Sequence, residues 1–376
     1  MGTTIDVAAK QLFSRPSDEL FDDMPSLIDH LRTRESVTKE VHVHDIKAIP
    51  MQTGDTVELG LEVHSPEGIL PAIPTDWAFR SMCSMVKAPA NYINRMDPER
   101  AAANLNEDIK EHFTKGNGTV SPVSGNSLRA FYSESYERIP DLTVAERVHS
   151  TATHFGYEPA GRFAGKHIGM APIRPEASGI YGSDRDIFLF ILNDERSFEF
   201  EDDIYYHCAI VWNSEVTWKK LGWMMCLTRG VCGNHLIWDA DEILTSEAVH
   251  KQGHDPMGVL EDFDTLMAAY DARSAMMVSH AKARLTAARY TPFAEGLNLA
   301  ETLENVEKRL ARYMQKKQAA AVLPFLNDQR AFPKDPHSVF GVSQAVTLYS
   351  QTLDQSASRF DLDKVAGKIV ADVVGF

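Results

Sequence analysis

The apolar positions between residues 187 and 238 follow the pattern of short, mostly buried strands. Residues 187–192 form an uninterrupted apolar run, and 204–212 is rich in β-branched and aromatic residues. Between them, residues 197–201 alternate apolar and polar side chains with period two. No helix of crossover length separates these runs, as parallel strands would require. The pattern therefore predicts an antiparallel meander.

Short polar interruptions divide this apolar centre of the chain. Asn213, Ser214 and Glu215 are turn formers that follow the run at 204–212. The apolar pattern resumes over 216–227, where Gly222 indicates a bulge or a close backbone approach. Residues 228–230 interrupt it again before a last run at 231–238. We expect separate strands between these breaks.

The apolar period changes to three and four residues after position 258, which predicts helices. The first runs from about 258 to 289 and ends before Pro292. The second begins at Asn298, with Glu301 in a capping-box position, and ends at Pro324. Two more helices are predicted around residues 342–353 and 363–373. The last third of the chain is therefore predicted to be helical, with apolar stripes that need a surface to cover.

The N-terminal part mixes both periods. Residues 1–35 suit short amphipathic helices, 37–49 reads as one strand with a hairpin partner at 55–64, and Thr75 or Asp76 can cap a following helix. Further predictions are a helix over 98–113, a strand over 128–132 and a helix over 149–157. The expected fold class is α+β, an antiparallel sheet core with the helical C-terminal third packed on it. The expected divisions are 1–70 (helix and hairpin), 71–250 (α+β core) and 251–376 (helical).

Composition narrows the class of protein. The 376 residues are 44% hydrophobic and 24% charged, which is enough for a sizeable core and argues against disorder. A net charge of −15 disfavours nucleic acid and anionic membranes, unless bases are concentrated on one face. Absence of a signal-peptide pattern and of an 18-residue apolar run, with only four Cys, predicts a cytoplasmic protein with reduced thiols and no membrane partner.

Metal-ligand patterns are weak. Cys226 and Cys232 are six residues apart, near His235, whereas a zinc site usually needs paired ligands two to four residues apart. Small core side chains are the favoured interpretation of the cysteines. His42 and His44 lie on one face of a predicted strand, where a solvated face is the favoured alternative to a ligand pair. No metal is predicted.

Other chemistry-bearing motifs are equally weak. His250 and His254 stand four apart, but Gly253 and Pro256 favour a loop there. The acids at 199–203 could hold a hard cation, although a charged hairpin edge is the better interpretation. The sequence contains no GxSxG, GxGxxG or GxxxxGK[ST] motif. The catalytic residues therefore stay unknown, and no cofactor is predicted.

A basic segment at 308–317 is more informative, because it holds five bases and no acid. The segment lies inside the helix predicted to end at Pro324, so Lys308, Arg312 and Lys316 are expected on one helical face that could meet backbone phosphates; ordinary solvated surface is the alternative. The candidate nucleic-acid contacts in this segment are Lys308, Arg309, Arg312, Lys316 and Lys317.

A second candidate surface combines bases with aromatic side chains. Lys219 and Lys220 lie between Trp218 and Trp223, on what the pattern predicts to be a strand. Such a surface is typical of proteins that bind single strands. Buried tryptophans are the alternative.

Several motifs resemble those of a known family. Residues 213–216 (NSEV) and 229–234 (RGVCGN) resemble the "NSE-(T/V)-G … R-x-V-C-x-N-G" core of the phage/plasmid-like protein family, domain of unknown function 932. Residues 128–136, 342–347 and 361–367 resemble its "LRA-x-x-S-x-x-Y", "NAVT" and "LE-x-x-AG" segments. The resemblance covers about residues 70–376. Thr217, His235 and Gln344 depart from the motifs, which have Gly, Gly and Asn at those positions.

This resemblance implies a gene of mobile elements and prophages, and no known reaction. The polar residues of the motifs stand at strand breaks, where they suit either turns that cap backbone groups or a small polar site at one sheet end. These residues are Asn213, Ser214, Glu215, Arg229 and Asn234.

The resulting hypothesis is a homo-oligomeric, non-enzymatic binding protein of a mobile element that holds single-stranded nucleic acid in replication or recombination. One alternative is a metal-dependent or small-molecule enzyme with a site near Glu215, Arg229 and Asn234. Another is a host-directed inhibitor or assembly protein. The hypothesis gains if the bases of 308–317 and 219–220 share one face.

Overall fold

A computed structural model describes residues 19–114, 119–159, 179–200, 203–229, 244–251, 255–328, 334–350, 352 and 356–374. These residues form two mostly antiparallel sheets, and the C-terminal helices pack on the second sheet. The predicted α+β fold is confirmed. The strands are β1 (Thr38–Val43), β2 (Asp45–Thr53), β3 (Thr56–Ser65), β4 (Gly68–Pro74), β5 (Thr119–Ser124), β6 (Ser127–Leu128), β7 (Tyr132–Ser133), β8 (Tyr157–Pro159), β9 (Ile180–Gly182), β10 (Ile187–Phe200), β11 (Asp203–Asn213), β12 (Leu221–Arg229) and β13 (Leu244–Ala248).

The helices cover both sheets. They are α1 (Met24–Ser36), α2 (Asp76–Met85), α3 (Ala90–Ile93), α4 (Pro98–Thr114), α5 (Asp141–His154), α6 (Pro256–Tyr290), α7 (Leu299–Leu310), α8 (Lys316–Val322), α9 (Val339–Ser350) and α10 (Ser356–Val374), with a 3₁₀ helix at Leu323–Asn327. Thr75 caps α2 as predicted, because its hydroxyl accepts a hydrogen bond from the Ala78 amide.

The first sheet has the strand order β1-β5-β6-β4-β3-β2, and β7 pairs with β5. The hairpin of β2 and β3 is confirmed, but the single strand predicted over 37–49 is wrong. The chain bends at His44, so that β1 pairs with β5 while β2 pairs with β3. The amide of Asn106 on α4 exchanges hydrogen bonds of 2.7 and 2.9 Å with the Ala48 backbone, which satisfies the outer edge of β2 there.

The second sheet has the order β13-β12-β11-β10-β8, with β9 on β10, and the predicted meander is confirmed. Gly222 lies opposite Trp212, whose indole would be 2.6 Å from an added Cβ. The polar residues after Asn193 do not end β10, because a register shift before Phe198 absorbs them. Residues 216–220 are loop rather than strand, 228–229 stay in β12, and the run at 231–238 lies outside the described residues.

The long helix predicted from 258 to 289 is confirmed as α6, which takes part in two hydrophobic cores. Its first half, with Phe263 and Met267, packs with α1 and α5 on one face of the second sheet. Its second half, with Leu285 and Ala288, joins the bundle of α7 to α10. That bundle covers the β10–β11 hairpin end of the sheet.

The second C-terminal helix is shorter than predicted. Asn298 caps α7 through the Glu301 amide, but the helix ends at Leu310 and not at Pro324. The amides of Tyr313 and Met314 both donate to the Leu310 carbonyl, which closes the turn before α8. Because Leu310 and the Val322 side chain of α8 are both fully buried in the same core, the break lets both segments pack.

Two other boundaries also move. The helix predicted over 149–157 is α5, which begins at Asp141 and ends at His154, since Tyr157 pairs with Asn193 in the sheet. The predicted division at residue 70 falls inside β4, whereas the one at 250 falls between β13 and α6.

Candidate functional site

A buried carboxylate, Glu215, lies in the loop after β11 and is 1% exposed. Its Oε1 accepts a hydrogen bond from Arg129 and forms an ion pair with Arg34 at 2.8 Å. Its Oε2 accepts from Arg138 at 2.7 Å and from the Asp141 amide at 3.3 Å. Three hydrogen bonds and one further ion pair therefore engage both oxygens of a carboxylate that can accept about four hydrogen bonds.

The partners of Glu215 come from distant parts of the chain. Arg34 is on α1, Arg129 follows β6 of the first sheet, and Arg138 precedes α5. The Glu215 side chain, in a loop of the second sheet, therefore contacts residues of the first sheet, of α1 and of the segment before α5. Further contacts complete what we call the Glu215 cluster: Arg34 to Asp141 at 2.8 Å, Arg138 to Glu35 at 3.0 Å, and the Asn213 amide to Asp141 at 2.8 Å.

Charges in the Glu215 cluster balance, with three arginines against Glu215, Asp141 and Glu35. Burial raises the pKa of Glu215, but the three guanidinium groups offset that effect and the pKa is lowered overall. Burial and the neighbouring Glu215 raise the pKa of Asp141, against the opposing effect of Arg34. Of the two carboxyl groups, that of Asp141 therefore takes up a proton more readily than that of Glu215.

The geometry of the Glu215 cluster suits a structural role, as a clamp that holds the two sheets together. Every oxygen of Glu215 already accepts from a donor, and removing a partner from a buried ion pair is strongly destabilising. A general base or a metal ligand would need an oxygen directed at a substrate or ion. The cluster joins the two sheets, and it presents no free acid or base.

The motif residues of the sequence separate in the structure. Asn213 and Glu215 are in the cluster, and the Ser214 hydroxyl donates to the Arg185 carbonyl at 2.6 Å. Arg229, however, lies at the far end of β12, opposite Tyr205. Nine residues of strand span about 30 Å, so Arg229 is not part of a site with Glu215. Asn234 lies outside the described residues.

Sequence reasoning missed the arginines that bind Glu215. Arg129 offered a signal, because it stands in the 128–136 segment of the family resemblance while Glu215 stands in another. A motif base and a motif acid are natural candidates for an ion pair. Arg34 and Arg138 carried no such signal.

An aromatic surface lies beside the cluster, and we call Trp77, Arg185 and Trp218 the Trp218 surface. The Trp218 side chain is 43% exposed, and its ring meets Trp77 edge-on with centroids 4.8 Å apart. The Arg185 guanidinium lies 5.5 Å from its ring centroid. Thr217 has a φ of +67°, which explains why Gly suits this position in the resembling motif. Trp223 is instead fully buried and donates to the Val259 carbonyl.

The lysines next to this surface are in a loop and not on the predicted strand. Lys219 lies 2.8 Å from Asp186 and its side chain is only 12% exposed. Lys220 lies 3.3 Å from Glu247 and is 44% exposed. Lys219 is therefore largely withdrawn from solvent.

The basic segment at 308–317 forms a corner between two helices and not one helical face. Lys308 pairs with Glu304 at 2.6 Å, and Arg309 packs over Phe293 and donates to its carbonyl. The other bases are exposed and form no ion pair with the described residues. We call these three the basic corner: Arg312, Lys316 and Lys317.

The two basic segments lie at opposite ends of the second sheet. The core of α7 and α8 includes Phe198, near the end of β10, whereas Lys219 pairs with Asp186, just before β10 begins at Ile187. The eleven residue steps from Ile187 to Phe198 span about 35 Å of strand. These bases therefore do not form one continuous patch.

The remaining candidate ligands are scattered. Cys208 is buried opposite Cys226 on β12, and His42 and His44 are exposed. Cys232 and His235 lie outside the described residues, in which no group of three His, Cys, Asp or Glu could hold a metal. His250 is 6% exposed and stacks on Tyr136 with ring centroids 5.2 Å apart.

Comparison of the chain with protein-family models, with curated proteins and with solved structures finds no match. The family resemblance therefore rests on the quoted motifs and stays a hypothesis. Of the helices that the structure describes, none has the length and apolar character to span a membrane.

Proposed function

We propose that this chain is a non-enzymatic nucleic-acid-binding protein, of the kind that phages and plasmids carry, and that the basic corner contacts phosphates. One observation carries the proposal: Arg312, Lys316 and Lys317 are exposed and lack acidic partners among the described residues. In a chain of net charge −15, such a segregated set of bases gives a local positive potential.

Neighbouring bases strengthen this electrostatic argument. Lys308 pairs with Glu304, but the two side chains are 67% and 64% exposed. Exposed ion pairs contribute little, so Lys308 can turn to a phosphate at small expense. Phosphate contacts release counterions and dominate nucleic-acid affinity.

The biological setting is part of the same proposal. The motifs that resemble the phage/plasmid-like family support a role in replication or recombination of a mobile element. Homo-oligomerisation would multiply the corner along one nucleic-acid chain, which raises affinity without new contacts. The enzyme hypothesis is weaker, because Glu215 is fully engaged and Arg229 lies at the far end of β12.

The test is a salt titration of binding to a labelled single-stranded oligonucleotide. Replacing Arg312, Lys316 and Lys317 by Gln should weaken binding and make the salt slope shallower by about 2, since each phosphate contact on single strands contributes about 0.7. The readout is fluorescence anisotropy.

A matched triple variant controls for net charge. Lys39 on β1, Lys87 in the turn after α2 and Arg95 in the turn after α3 are also exposed, and replacing all three by Gln changes the charge equally. This control should bind as the parent does. Absence of binding by the parent at low salt, or equal losses in both triple variants, would refute the proposal.

A further inference from the structure

Several hydrogen bonds hold the loop that carries Trp218. The Tyr136 hydroxyl accepts from the Thr217 amide at 3.3 Å and donates to the Ser214 carbonyl at 3.0 Å. The Trp218 amide donates to the Ser214 hydroxyl at 3.0 Å, and the Trp77 indole donates to the Val216 carbonyl. With Glu215 held in its cluster, the loop has little freedom left before any partner binds.

The same loop contains backbone strain. Thr217 is β-branched and has a φ of +67°, a conformation that costs about 1–2 kcal/mol for a residue with a Cβ. Such strain persists only where the surroundings impose it, and it concentrates at ligand-binding sites. Here the strained residue directly precedes Trp218.

Trp218 differs from Trp212 and Trp223, which lie on the described strands β11 and β12. Trp212 is 1% exposed and Trp223 is fully buried, whereas Trp218 is 43% exposed on a loop that several hydrogen bonds hold. Its ring and that of Trp77 pack at 77° to each other, and the Arg185 guanidinium lies over the Trp218 ring, 5.5 Å from its centroid. A ring with a solvent-accessible surface and an adjacent cation suits stacking of a planar base.

We infer that the Trp218 surface stacks an unpaired base, so that the nucleic acid bound by this chain is single-stranded; this inference rests on the proposed function. A base inside a duplex has both faces covered by its neighbours, and only an unpaired base can offer a face to Trp218. The Arg185 side chain is 33% exposed, and its ion pairs with Glu19 and Asp184 are 3.7 Å long. Such long pairs are weak, which leaves the guanidinium available to the phosphate next to the stacked base.

The experiment compares Trp218→Ala and Trp218→Phe with the parent, on a single strand and on a duplex of the same sequence. Loss of one stacking contact is expected to weaken single-strand binding about 5- to 100-fold in Trp218→Ala. Trp218→Phe should keep most of the affinity, and duplex binding should be the same in all three. The salt slope of Trp218→Ala should become shallower by no more than about 0.7, the contribution of the one Arg185 phosphate contact, since the basic corner is intact. Tyr92→Ala removes another aromatic ring, 64% exposed, and serves as the control.

Intrinsic fluorescence gives a second readout. Stacking should quench Trp218 in the parent, and that quenching should be largely absent in Trp218→Phe. Unchanged urea midpoints show that the variants are folded.

Three outcomes would overturn the inference. If Trp218→Ala binds single strands as the parent does while the basic-corner variant binds weakly, the stacking site is refuted and the proposed function stands. If the parent binds no nucleic acid, both fail. If Trp218→Ala instead lowers the oligomeric mass in solution with no loss of single-strand affinity, the surface is a contact between copies of the chain.

Discussion

Replacing Glu215 by Gln is expected to lower the free energy of unfolding by about 3–5 kcal/mol, the usual consequence of breaking a buried ion pair. Gln has nearly the same shape, so no cavity forms. In this variant Arg34 keeps its ion pair with Asp141, and Arg138 keeps its ion pair with Glu35. Arg129 is 2% exposed and would lose its only carboxylate partner, keeping the Asp184 carbonyl at 3.0 Å and at most the amide oxygen of Gln. The loss is therefore that of about one uncompensated buried charge.

Urea unfolding followed by tryptophan fluorescence measures this change, provided that the m-value stays constant. The control is Glu146→Gln, which breaks an ion pair with Arg32 whose side chains are 48% and 57% exposed. That variant should differ from the parent by about 0.5 kcal/mol or less.

A double variant separates the charge from the other contacts of Glu215. Arg129→Met removes the orphaned charge, so Arg129→Met/Glu215→Gln should be more stable than the sum of the two single changes predicts. The clamp interpretation fails if Glu215→Gln costs no more than Glu146→Gln, or if the two changes at the cluster are additive.

Three further predictions concern the same junction. Because the pKa of Asp141 is raised in the folded state, its ionisation destabilises the fold above that pKa, and this penalty disappears as the pH falls toward the ordinary value of 3.8. Asp141→Asn should therefore be less stable relative to the parent at pH about 5 than at pH about 8. An equal stability difference at both pH values would contradict this. Burial lowers the pKa of His250 to about 4, so the free energy of unfolding of the parent should fall by up to about 3 kcal/mol between pH 6.5 and 4. His250→Phe can still stack on Tyr136 and should remove most of that fall, as measured by urea titrations at both pH values. Thr217→Gly should raise the free energy of unfolding by about 0.5–1 kcal/mol, because relief of the strained φ exceeds the entropy lost by Gly. The control is Lys87→Gly, at an exposed, unbranched residue with a φ of +61°, which should stabilise the protein less. A larger stabilisation by Lys87→Gly would argue against strain at Thr217.

Local patterns were sufficient to predict many elements. Strong period-two and apolar runs gave β10 and β11 and their antiparallel pairing, and the three-four period gave α6 and α9. Thr75 and Asn298 marked helix starts, because an N-cap is a contact between near neighbours in the chain. The predicted element boundaries were wrong where contacts with residues distant in the chain determine them. The bend at His44 depends on β5, and the end of α7 depends on the core that Leu310 shares with α8.

The candidate site shows the same division. The sequence by itself determined that Asn213, Ser214 and Glu215 form a polar turn between strands, since turn chemistry is local. Only the tertiary structure decided that Glu215 meets Arg34, from a helix far away in the chain, and that Arg229 does not join them. It also decided that the basic corner and Lys219 lie at opposite ends of a sheet. Ion pairs form wherever packing brings charges together, and no period along the chain records that distance.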